Sequence, residues 1–426
     1  MAAKVHGKKR GGTLGTMMRQ LGPGLITGAA DDDPSGIATY AQIGAQFGYG
    51  LAWTVVLTTP LMAAVQEISA RLGRVTGAGL GAAMRNQMPR SLTAFLIVAL
   101  VIANIINLGA DIGAMAASVR LLIGGPEVVY AVLIALFCAG CEIWFSYRRY
   151  VLILKWLTLA LFAYVALLFV IHPPVAEVLK GAFIPTVALT RNGLIALVAV
   201  LGTTISPYLF FWQASEEAED ESHEKDPRPL RQHTRDAPKE IRRIKFDTYL
   251  GMIFSNAIAL SIMVGTAATL HATGVTKIAT AADAAAALTP VAGNLATTFF
   301  ALGILGTGLL AVPVLAGSAA YAIGEASRWT VGLNRLAWEA RAFYGVIAVS
   351  TGLGLAIVFL PIEPMQALFW SAVINGVVSA PMIVMMVVLG SRESVMGALV
   401  LPWSLRGLGL FTAVLMGGAT IGMLVL

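Results

Sequence analysis

Residues 22–47 read GPGLITGAADDDPSGIATYAQIGAQF, an apolar stretch whose centre holds three consecutive aspartates followed by Pro34, Ser35 and Gly36. Residues 193–217 read GLIALVAVLGTTISPYLFFWQASEE and are interrupted in the same way, by Gly-Thr-Thr-Ile-Ser-Pro. Proline removes a backbone donor and glycine tolerates unwinding, so both stretches predict helices that are broken near the middle. If these helices lie in a membrane, a polar break at this depth is tolerated only where it lines a cavity.

The composition of the chain indicates that they do lie in a membrane. Of its 426 residues, 57% are hydrophobic and 12% are charged, whereas soluble domains have about 25% charged residues. This excludes a soluble enzyme, a disulfide scaffold and a disordered protein. Continuously apolar runs that can cross a slab of about 30 Å predict an all-α polytopic membrane protein with eleven transmembrane helices. The predicted spans are 21–47, 50–70, 93–117, 127–147, 151–171, 193–216, 247–270, 294–325, 343–360, 364–390 and 408–426.

The basic residues predict how these spans are oriented. With the N-terminus in the cytoplasm, 25 of the 29 Lys and Arg residues fall on the cytoplasmic side, as the positive-inside rule requires. The C-terminus is then outside, and a bacterial inner membrane is the expected location. The net charge of +6 is therefore a topology signal, so nucleic acid is not expected as a partner. The expected partner is the lipid bilayer, and no obligate protein partner is evident.

The two broken helices are the first and the sixth, which places them five spans apart. Five is an odd number, so a repeat of spans 1–5 by spans 6–10 must be inverted in the membrane. Paired breaks in two inverted halves indicate the midplane site of a secondary transporter. We therefore expect a single membrane transport domain over 1–426, with repeats at about 20–172 and 193–390 and a last helix at about 408–426. The alternative is that both prolines only kink helices for packing.

The aspartates of the first break are candidate ligands. An ionised Asp at the bilayer centre costs about 2.5–3.5 kcal/mol on insertion scales, so it indicates function by default. Helix neighbours point about 100° apart, so the three cannot all face one ligand. We expect Asp33, beside Pro34, to face the break, and Asp31 and Asp32 to pair with other polar groups or face an outer vestibule.

The second break supplies further oxygen donors for a cation. Carbonyls freed at 30–33 and 200–204 are joined by the hydroxyls of Thr203, Thr204 and Ser206. Carboxylate, carbonyl, hydroxyl and water oxygens suit hard cations such as Mg²⁺, Ca²⁺ or Mn²⁺. No cofactor is expected beyond the transported ion. No nucleophile–base pair or metal cluster indicates an enzyme.

At these residues the chain resembles the Nramp (natural resistance-associated macrophage protein) family of divalent-metal transporters. That resemblance implies the fold of the leucine transporter, and uptake of Mn²⁺ or Fe²⁺ with protons. It places the family's metal-binding Asp on Asp33 and its Asn on Gly36. The family's carbonyl-donating Ala falls on Thr203, its metal-binding Met on Ser206 and its His on Tyr208.

Several departures from the family pattern change the expected cargo. Ser206 cannot supply the soft thioether that favours transition metals, and Gly36 enlarges the site. The acidic pair that the family uses to move protons falls on Asn104 and Asn107. The pattern is similar to the divergent Nramp-related branch that carries Mg²⁺ without evident proton coupling. A proton-coupled Mn²⁺/Fe²⁺ symporter and an organic-solute carrier remain alternatives, although the aspartates would repel a substrate carboxylate.

Other polar residues within spans are weaker candidates. Asp111 is interpreted either as a substitute ion or proton site or as a structural partner of Arg120 or of nearby hydroxyls. The loop 217–246 is either a solvated cytoplasmic connection or a regulatory or partner site, and 271–293 includes a possible surface helix. Further residues that are expected to line the site are Gly202, Thr204 and Asn375.

Overall fold

The computed structural model of the protein describes residues 23–144, 157–186, 190–222 and 228–426. Within these ranges the regular elements are helices, and no strand occurs. The helices are α1 (Pro23–Asp31), α2 (Pro34–Phe47), α3 (Ala52–Thr76), α4 (Leu80–Gln87), α5 (Arg90–Ile123), α6 (Glu127–Trp144), α7 (Phe162–Ile171), α8 (Val175–Phe183), α9 (Arg191–Thr204), α10 (Pro207–Ser222), α11 (Ala237–Thr269), α12 (Ala281–Ala286), α13 (Thr289–Ala292), α14 (Ala296–Ala326), α15 (Arg341–Val358), α16 (Pro364–Gly390), α17 (Glu393–Met396) and α18 (Trp403–Val425). Short 3-10 helices cover Gly48–Leu51, Leu157–Leu161, His271–Thr273, Gly293–Leu295 and Gly397–Leu399.

The architecture is that of an integral membrane protein. Eight helical stretches in the described ranges are at least 18 residues long and apolar enough to cross a membrane. The prediction of an all-helical membrane protein is thereby confirmed. The basic residues of 4–19 and 148–155 and Lys225, which entered the predicted orientation, lie outside the part of the chain that the structure describes.

The segment 217–246 is shorter as a loop than the sequence indicated. Helix α10 continues to Ser222 and α11 begins at Ala237, so the described non-helical part is 228–236. The predicted loop begins where charged side chains lower the hydropathy. The backbone hydrogen bonds of a helix do not depend on side-chain charge, so the helices continue into this segment. On the far side of the molecule, the expected surface helix is confirmed as α12, which starts with a Thr280–Asp283 capping box.

Both predicted breaks are present at the centre of the fold. Two residues separate α1 from α2, and two residues separate α9 from α10. The long helix α11 packs against both α1 and α2, while α16 packs against α9. Helix α5 packs against α14, α15 and α16, and α10 packs on α3. The broken helices are thus enclosed by unbroken ones, which shields their interrupted backbones from lipid.

Helix α1 lies unusually close to α11. A Cβ atom at Gly28 would lie 2.5 Å from the carbonyl of Gly251, and one at Gly24 would lie 2.8 Å from the backbone nitrogen of Thr248. Small residues allow such close approach of two membrane helices. The carboxylate of Asp247 accepts a hydrogen bond of 2.8 Å from the backbone N–H of Gly24. The contact therefore joins backbone to backbone, with a carboxylate at the start of α1.

Candidate ion-binding site

The first break is organised by Asp33. This residue caps the N-terminus of α2 in an extended conformation, with φ −69° and ψ 170°. Its Oδ1 accepts from the backbone N–H of Gly36 at 2.7 Å and from the Ser35 hydroxyl at 2.6 Å. Pro34 occupies the first helical position, where its missing N–H costs nothing. The local sequence Asp-Pro-Ser-Gly thus starts a new helix with a carboxylate at its positive end.

The other oxygen of Asp33 faces two more helices. Its Oδ2 accepts from the Asn107 side-chain amide of α5 at 3.0 Å and from the Tyr208 hydroxyl of α10 at 3.3 Å. Tyr208 also lies within hydrogen-bonding distance, 3.2 Å, of the Ala30 carbonyl at the end of α1. The carboxylate is 1% exposed. Asp33 is therefore held at the junction of both broken helices and α5, with four donors around it.

The second break is satisfied by hydroxyl groups. The Ser206 hydroxyl lies 2.8 Å from the Gly202 carbonyl and 3.0 Å from the Thr203 carbonyl. From α16, the Ser379 hydroxyl donates to the Ile205 carbonyl at 2.6 Å. These hydroxyls occupy carbonyl groups that lose their helical partners at the break. Ser206 thus turns toward its own backbone rather than toward Asp33.

The two breaks meet at Gly36. A Cβ atom built there would lie 3.3 Å from Thr203 Oγ1, 3.5 Å from the Asp31 carbonyl and 3.5 Å from Asp33 Oδ1. Thr203 Oγ1 is buried and finds no hydrogen-bond partner in the described ranges. Three oxygens of different kinds therefore surround the space that a side chain at Gly36 would fill.

Three of the predicted lining residues form a chain of amides and carboxylates. The Asn107 amide nitrogen lies 3.0 Å from Asp33 Oδ2 and 3.4 Å from Asp111 Oδ2. The Asn107 carbonyl oxygen accepts from the amide of Asn375 on α16 at 3.4 Å. All four side chains are at most 1% exposed. The structure thus brings Asn107, Asp111 and Asn375 to the first break.

Other predicted residues lie elsewhere. Asn104 donates to α14, with its amide 2.7 Å from the Ser318 hydroxyl, and so faces away from Asp33. Gly202 packs on the backbone of α16, where a Cβ atom would collide with the Ala372 carbonyl. Thr204 lies 2.9 Å from the Tyr40 hydroxyl.

Asp31 and Asp32 form a separate cluster. The hydroxyl of Ser255 on α11 lies 2.7 Å from Asp31 Oδ2 and 3.0 Å from Asp32 Oδ1. Ser255 and Ser379 were not singled out from the sequence. Both are hydroxyls within long apolar spans, which is a signal for buried polar contacts. The sequence does not say which helix such a hydroxyl faces, so their partners could not be predicted.

A cavity of about 580 Å³ lies beyond the second half of the first broken helix. Its lining includes Ala38, Gln42, Asn192, Gln366 and Trp370. Ala38 is five residues along α2 from Asp33, which corresponds to about 7.5 Å of helix. The cavity is therefore near the break, and its lining is neutral apart from Lys277 and includes side-chain amides that can accept from the waters of a hydrated ion.

The opposite ends of the helices are tied by ion pairs. Arg243 of α11 contacts Glu217 of α10 at 2.5 Å and Glu240 at 3.0 Å. Glu240 also contacts Arg74 of α3 at 3.2 Å. Glu325 of α14 accepts from Ser215 of α10 at 2.8 Å. Polar contacts thus join the helices at one end of the site, and a cavity lies at the other end. The site is therefore accessible from the side of the cavity.

Any cation at the break would be held mainly by neutral oxygens. Among the residues that the structure describes, no group of three or more His, Cys, Asp or Glu side chains is placed to hold a metal ion. The groups next to Asp33 are amides, hydroxyls and backbone. This donor set contains neither sulfur nor imidazole, and such a set suits hard cations rather than soft ones.

Comparison with known proteins assigns the chain to a family. A family profile described as natural resistance-associated macrophage protein-like (Nramp) matches residues 24–426, which is nearly the whole chain. The chain belongs to the Nramp family. The family match confirms the resemblance that the two breaks indicated. Nramp proteins are secondary transporters rather than enzymes.

Two bacterial relatives illustrate the similarity to this Nramp protein. The divalent metal cation transporter MntH of Aeromonas hydrophila is 30% identical over 297 residues, which cover 68% of this chain and 69% of the relative. The protein of the same name from Klebsiella pneumoniae is 28% identical over 399 residues, covering 91% of this chain and 89% of the relative.

Solved structures show the same fold. The manganese transporter of Eremococcus coleocola, crystallised with an aromatic bis-isothiourea compound, superposes with a TM-score of 0.75 at 17% identity. The alignment covers 98% of this Nramp chain and 88% of that one. Mhp1, a nucleobase-cation-symport-1 transporter, superposes with a TM-score of 0.57 at 14% identity, over 95% of this chain and 92% of that one. At these identities the likeness concerns the fold alone.

Proposed function

We propose that the protein carries a divalent metal cation, Mg²⁺ and/or Mn²⁺, into the cytoplasm through a site between its two broken helices. The observation that carries this proposal is the position of Asp33, a buried carboxylate at the meeting point of both breaks. The names of its relatives, divalent metal cation transporter and manganese transporter, support the class of cargo. Asp33, Thr203 and Ser206 are the proposed metal-site residues, and Ser206 shapes the site through its bonds to the Gly202 and Thr203 carbonyls rather than as a direct ligand.

The hydrogen bonds of the site favour an ion that keeps some of its waters. Asp33 already accepts from Ser35, Gly36, Asn107 and Tyr208, so a bare ion would have to displace donors. The waters of a hydrated ion compensate for that loss, because they donate to the carboxylate in place of the Asn107 and Tyr208 groups. Mg²⁺ retains several waters when it binds to proteins, so it can make contacts of this kind.

Uptake of such an ion does not require protons. The resemblance places the family's acidic pair on Asn104 and Asn107, and an amide neither takes up nor releases a proton at neutral pH. A membrane potential of 100 mV, negative inside, lowers the energy of a divalent ion by about 4.6 kcal/mol. We propose that this gradient drives uptake without proton coupling.

The transport cycle then follows from the two ends of the site. The ion enters through the cavity beside α2, and Asp33 offsets its charge. The half-helices α1 and α10 then move against the rest of the bundle, and the contact of Arg243 on α11 with Glu217 on α10 opens. Release follows on that side, because the ion's potential energy is lower in the negative interior.

The membrane arrangement is part of the proposal. It comprises eleven spans with two inverted repeats at about 20–172 and 193–390, in a bacterial plasma membrane. The N-terminus is cytoplasmic and the C-terminus is outside, which places the cavity outside. The distribution of Lys and Arg supports this orientation. A C-terminal alkaline phosphatase fusion is expected to be active, and an active fusion at Asp236 would contradict it.

Uptake into proteoliposomes tests the function. The full chain is reconstituted, a negative interior is imposed, and Mg²⁺, Mn²⁺ or Ca²⁺ is added with a pH-sensitive dye inside. We expect Mg²⁺ or Mn²⁺ to enter without acidification, and Asp33→Ala to abolish entry. Glu127→Gln is the matched control, because it removes a carboxylate from a surface pair with Arg120 at 3.3 Å. Wild-type rates in Asp33→Ala would refute the assignment of the site.

A proton-coupled manganese symporter is the second candidate, because a structural relative is named as a manganese transporter. The same assay separates the two. Acidification that tracks metal entry, together with strong preference for Mn²⁺ over Mg²⁺, would establish the symporter and overturn uncoupled transport.

A further inference from the structure

Asp111 is a second buried carboxylate beside the first break. It lies on α5, four residues after Asn107, and is 0% exposed. Its Oδ2 accepts from the Asn107 amide at 3.4 Å, whereas its Oδ1 has no hydrogen-bond partner among the described residues. Arg120, the nearest basic residue along α5, pairs with Glu127 instead. The Asn107 amide contacts both Asp111 and Asp33, so a single amide group separates the two carboxylates.

The Asn107 amide nitrogen contacts both carboxylates and so limits the distance between them. Asn107 Nδ2 lies 3.0 Å from Asp33 Oδ2 and 3.4 Å from Asp111 Oδ2, so these oxygens are at most 6.4 Å apart. Mg²⁺ lies about 2.1 Å from a direct oxygen ligand. A coordinated water then reaches a further acceptor at about 2.7 Å. Direct binding to one carboxylate and binding through one water to the other therefore fit this separation.

Asn375 adds an independent observation that points to a ligand. Its amide nitrogen donates to Asn107 Oδ1 at 3.4 Å, which directs the Asn107 nitrogen toward the carboxylates. The Asn375 Oδ1 atom is buried without a hydrogen-bond partner in the described ranges. Buried acceptors are normally satisfied. Asp111 Oδ1 and Asn375 Oδ1 are two such acceptors, and both residues contact Asn107. The waters bound to a cation are hydrogen-bond donors and can satisfy them.

We propose that Asp111 is the second anionic group of the ion-binding site. It accepts a hydrogen bond from a water on the transported divalent cation, while Asp33 lies on the ion's other side. The two carboxylates together match the charge of the ion, and the ion's waters take over the contacts that Asn107 Nδ2 makes. Asn375 acts as a positioning residue through Asn107. This inference rests on the proposed function.

Equilibrium binding tests the inference separately from transport. Mg²⁺ is titrated calorimetrically into the purified full-length protein and into Asp111→Asn, which keeps the side-chain shape and removes the charge. We expect Kd to rise at least fivefold, about 1 kcal/mol. Ser118→Ala is the control, because it alters another buried polar group of α5 whose hydroxyl has no described partner. A smaller rise, or no Mg²⁺ binding by the unaltered protein, would overturn the proposal.

Relocating the charge distinguishes binding from a structural role. Residues 107 and 111 are four apart, so they share one face of α5. The exchange Asn107→Asp with Asp111→Asn restores a carboxylate beside Asp33, and we expect it to recover at least half of the lost binding free energy. No recovery would show that Asp111 only orients Asn107. If uptake fails while these affinities behave as expected, the proposed transport is wrong and the binding role of Asp111 stands.

Discussion

The break between α1 and α2 differs from the break between α9 and α10 in what satisfies the freed backbone. At the first break a carboxylate, Asp33, accepts the Gly36 N–H at the start of α2. At the second break the hydroxyls of Ser206 and of Ser379 on α16 donate to carbonyls at the end of α9. One break is therefore satisfied by a carboxyl group and the other by hydroxyl groups. On the proposed function, the carboxylate that meets the cargo lies at the first break, and the second break adds neutral oxygen atoms beside it.

Removing the charge at the first break is expected to have the largest effect. Asp33→Asn keeps a side-chain oxygen that caps α2 but cannot neutralise a cation. We expect uptake of Mg²⁺ and Mn²⁺ to fall at least 100-fold, about 2.7 kcal/mol, with little change in thermal unfolding. Uptake by this variant within tenfold of the unaltered protein would mean that the difference between the breaks is not one of charge.

At the second break, bulk is expected to matter more than charge. A Cβ atom in Gly202→Ala would meet the backbone of Ala372 and Gly376 on α16. Overpacking of this kind costs about 1–3 kcal/mol, which thermal unfolding in detergent measures. Gly418→Ala is the control, because nothing lies within 4 Å of its Cβ atom. Equal stability of the two variants would contradict the tight contact between α9 and α16.

An intermediate effect is expected where the breaks meet. In Gly36→Ala the new methyl group lies 3.3 Å from Thr203 Oγ1 and 3.5 Å from Asp33 Oδ1, so it fits with small shifts. It takes up room for the waters that Mg²⁺ retains. We expect KM for Mg²⁺ to rise about fivefold, or ~1 kcal/mol, and KM for Mn²⁺ to rise less. Equal changes for the two ions would argue against a partly hydrated cargo.

The smallest effect is expected for the hydroxyl caps. Ser206→Ala removes one donor shared by the Gly202 and Thr203 carbonyls. A typical hydrogen bond contributes about 0.5–1.5 kcal/mol, so unfolding should shift by this amount while uptake stays within threefold. A large loss of uptake at unchanged stability would instead make Ser206 a direct ligand of the ion.

The sequence was most informative where backbone chemistry is decisive. Pro34 and Pro207 each begin a helix, as their missing N–H groups require, and Asp33 lies at the break as a costly intramembrane carboxylate should. These local rules do not depend on how helices pack. They sufficed for the fold class, the two breaks and the central acidic residue.

The sequence was least informative where helix rotation decides the contact. Asn104 and Asn107 are three residues apart, yet one faces α14 and the other faces Asp33. Asp31 and Asp32 adjoin Asp33 but lie at Ser255 of α11. Side chains this close in sequence are separated by the packing of α5 and α11 against their neighbours, which follows from contacts over the whole bundle. Periodicity alone could not assign these residues to one cluster or another.

The contact of Gly24 and Gly28 with α11 affects how the protein can be studied. Because it joins backbone to backbone, no side chain can repack to relieve an added group there. A bulky residue at Gly28 would act as a wedge that separates α1 from α11 and loosens the contacts of Asp31 and Asp32 with Ser255. Such a wedge offers a route to trapping the conformation in which the site opens toward the other membrane face, without any inhibitor or bound metal.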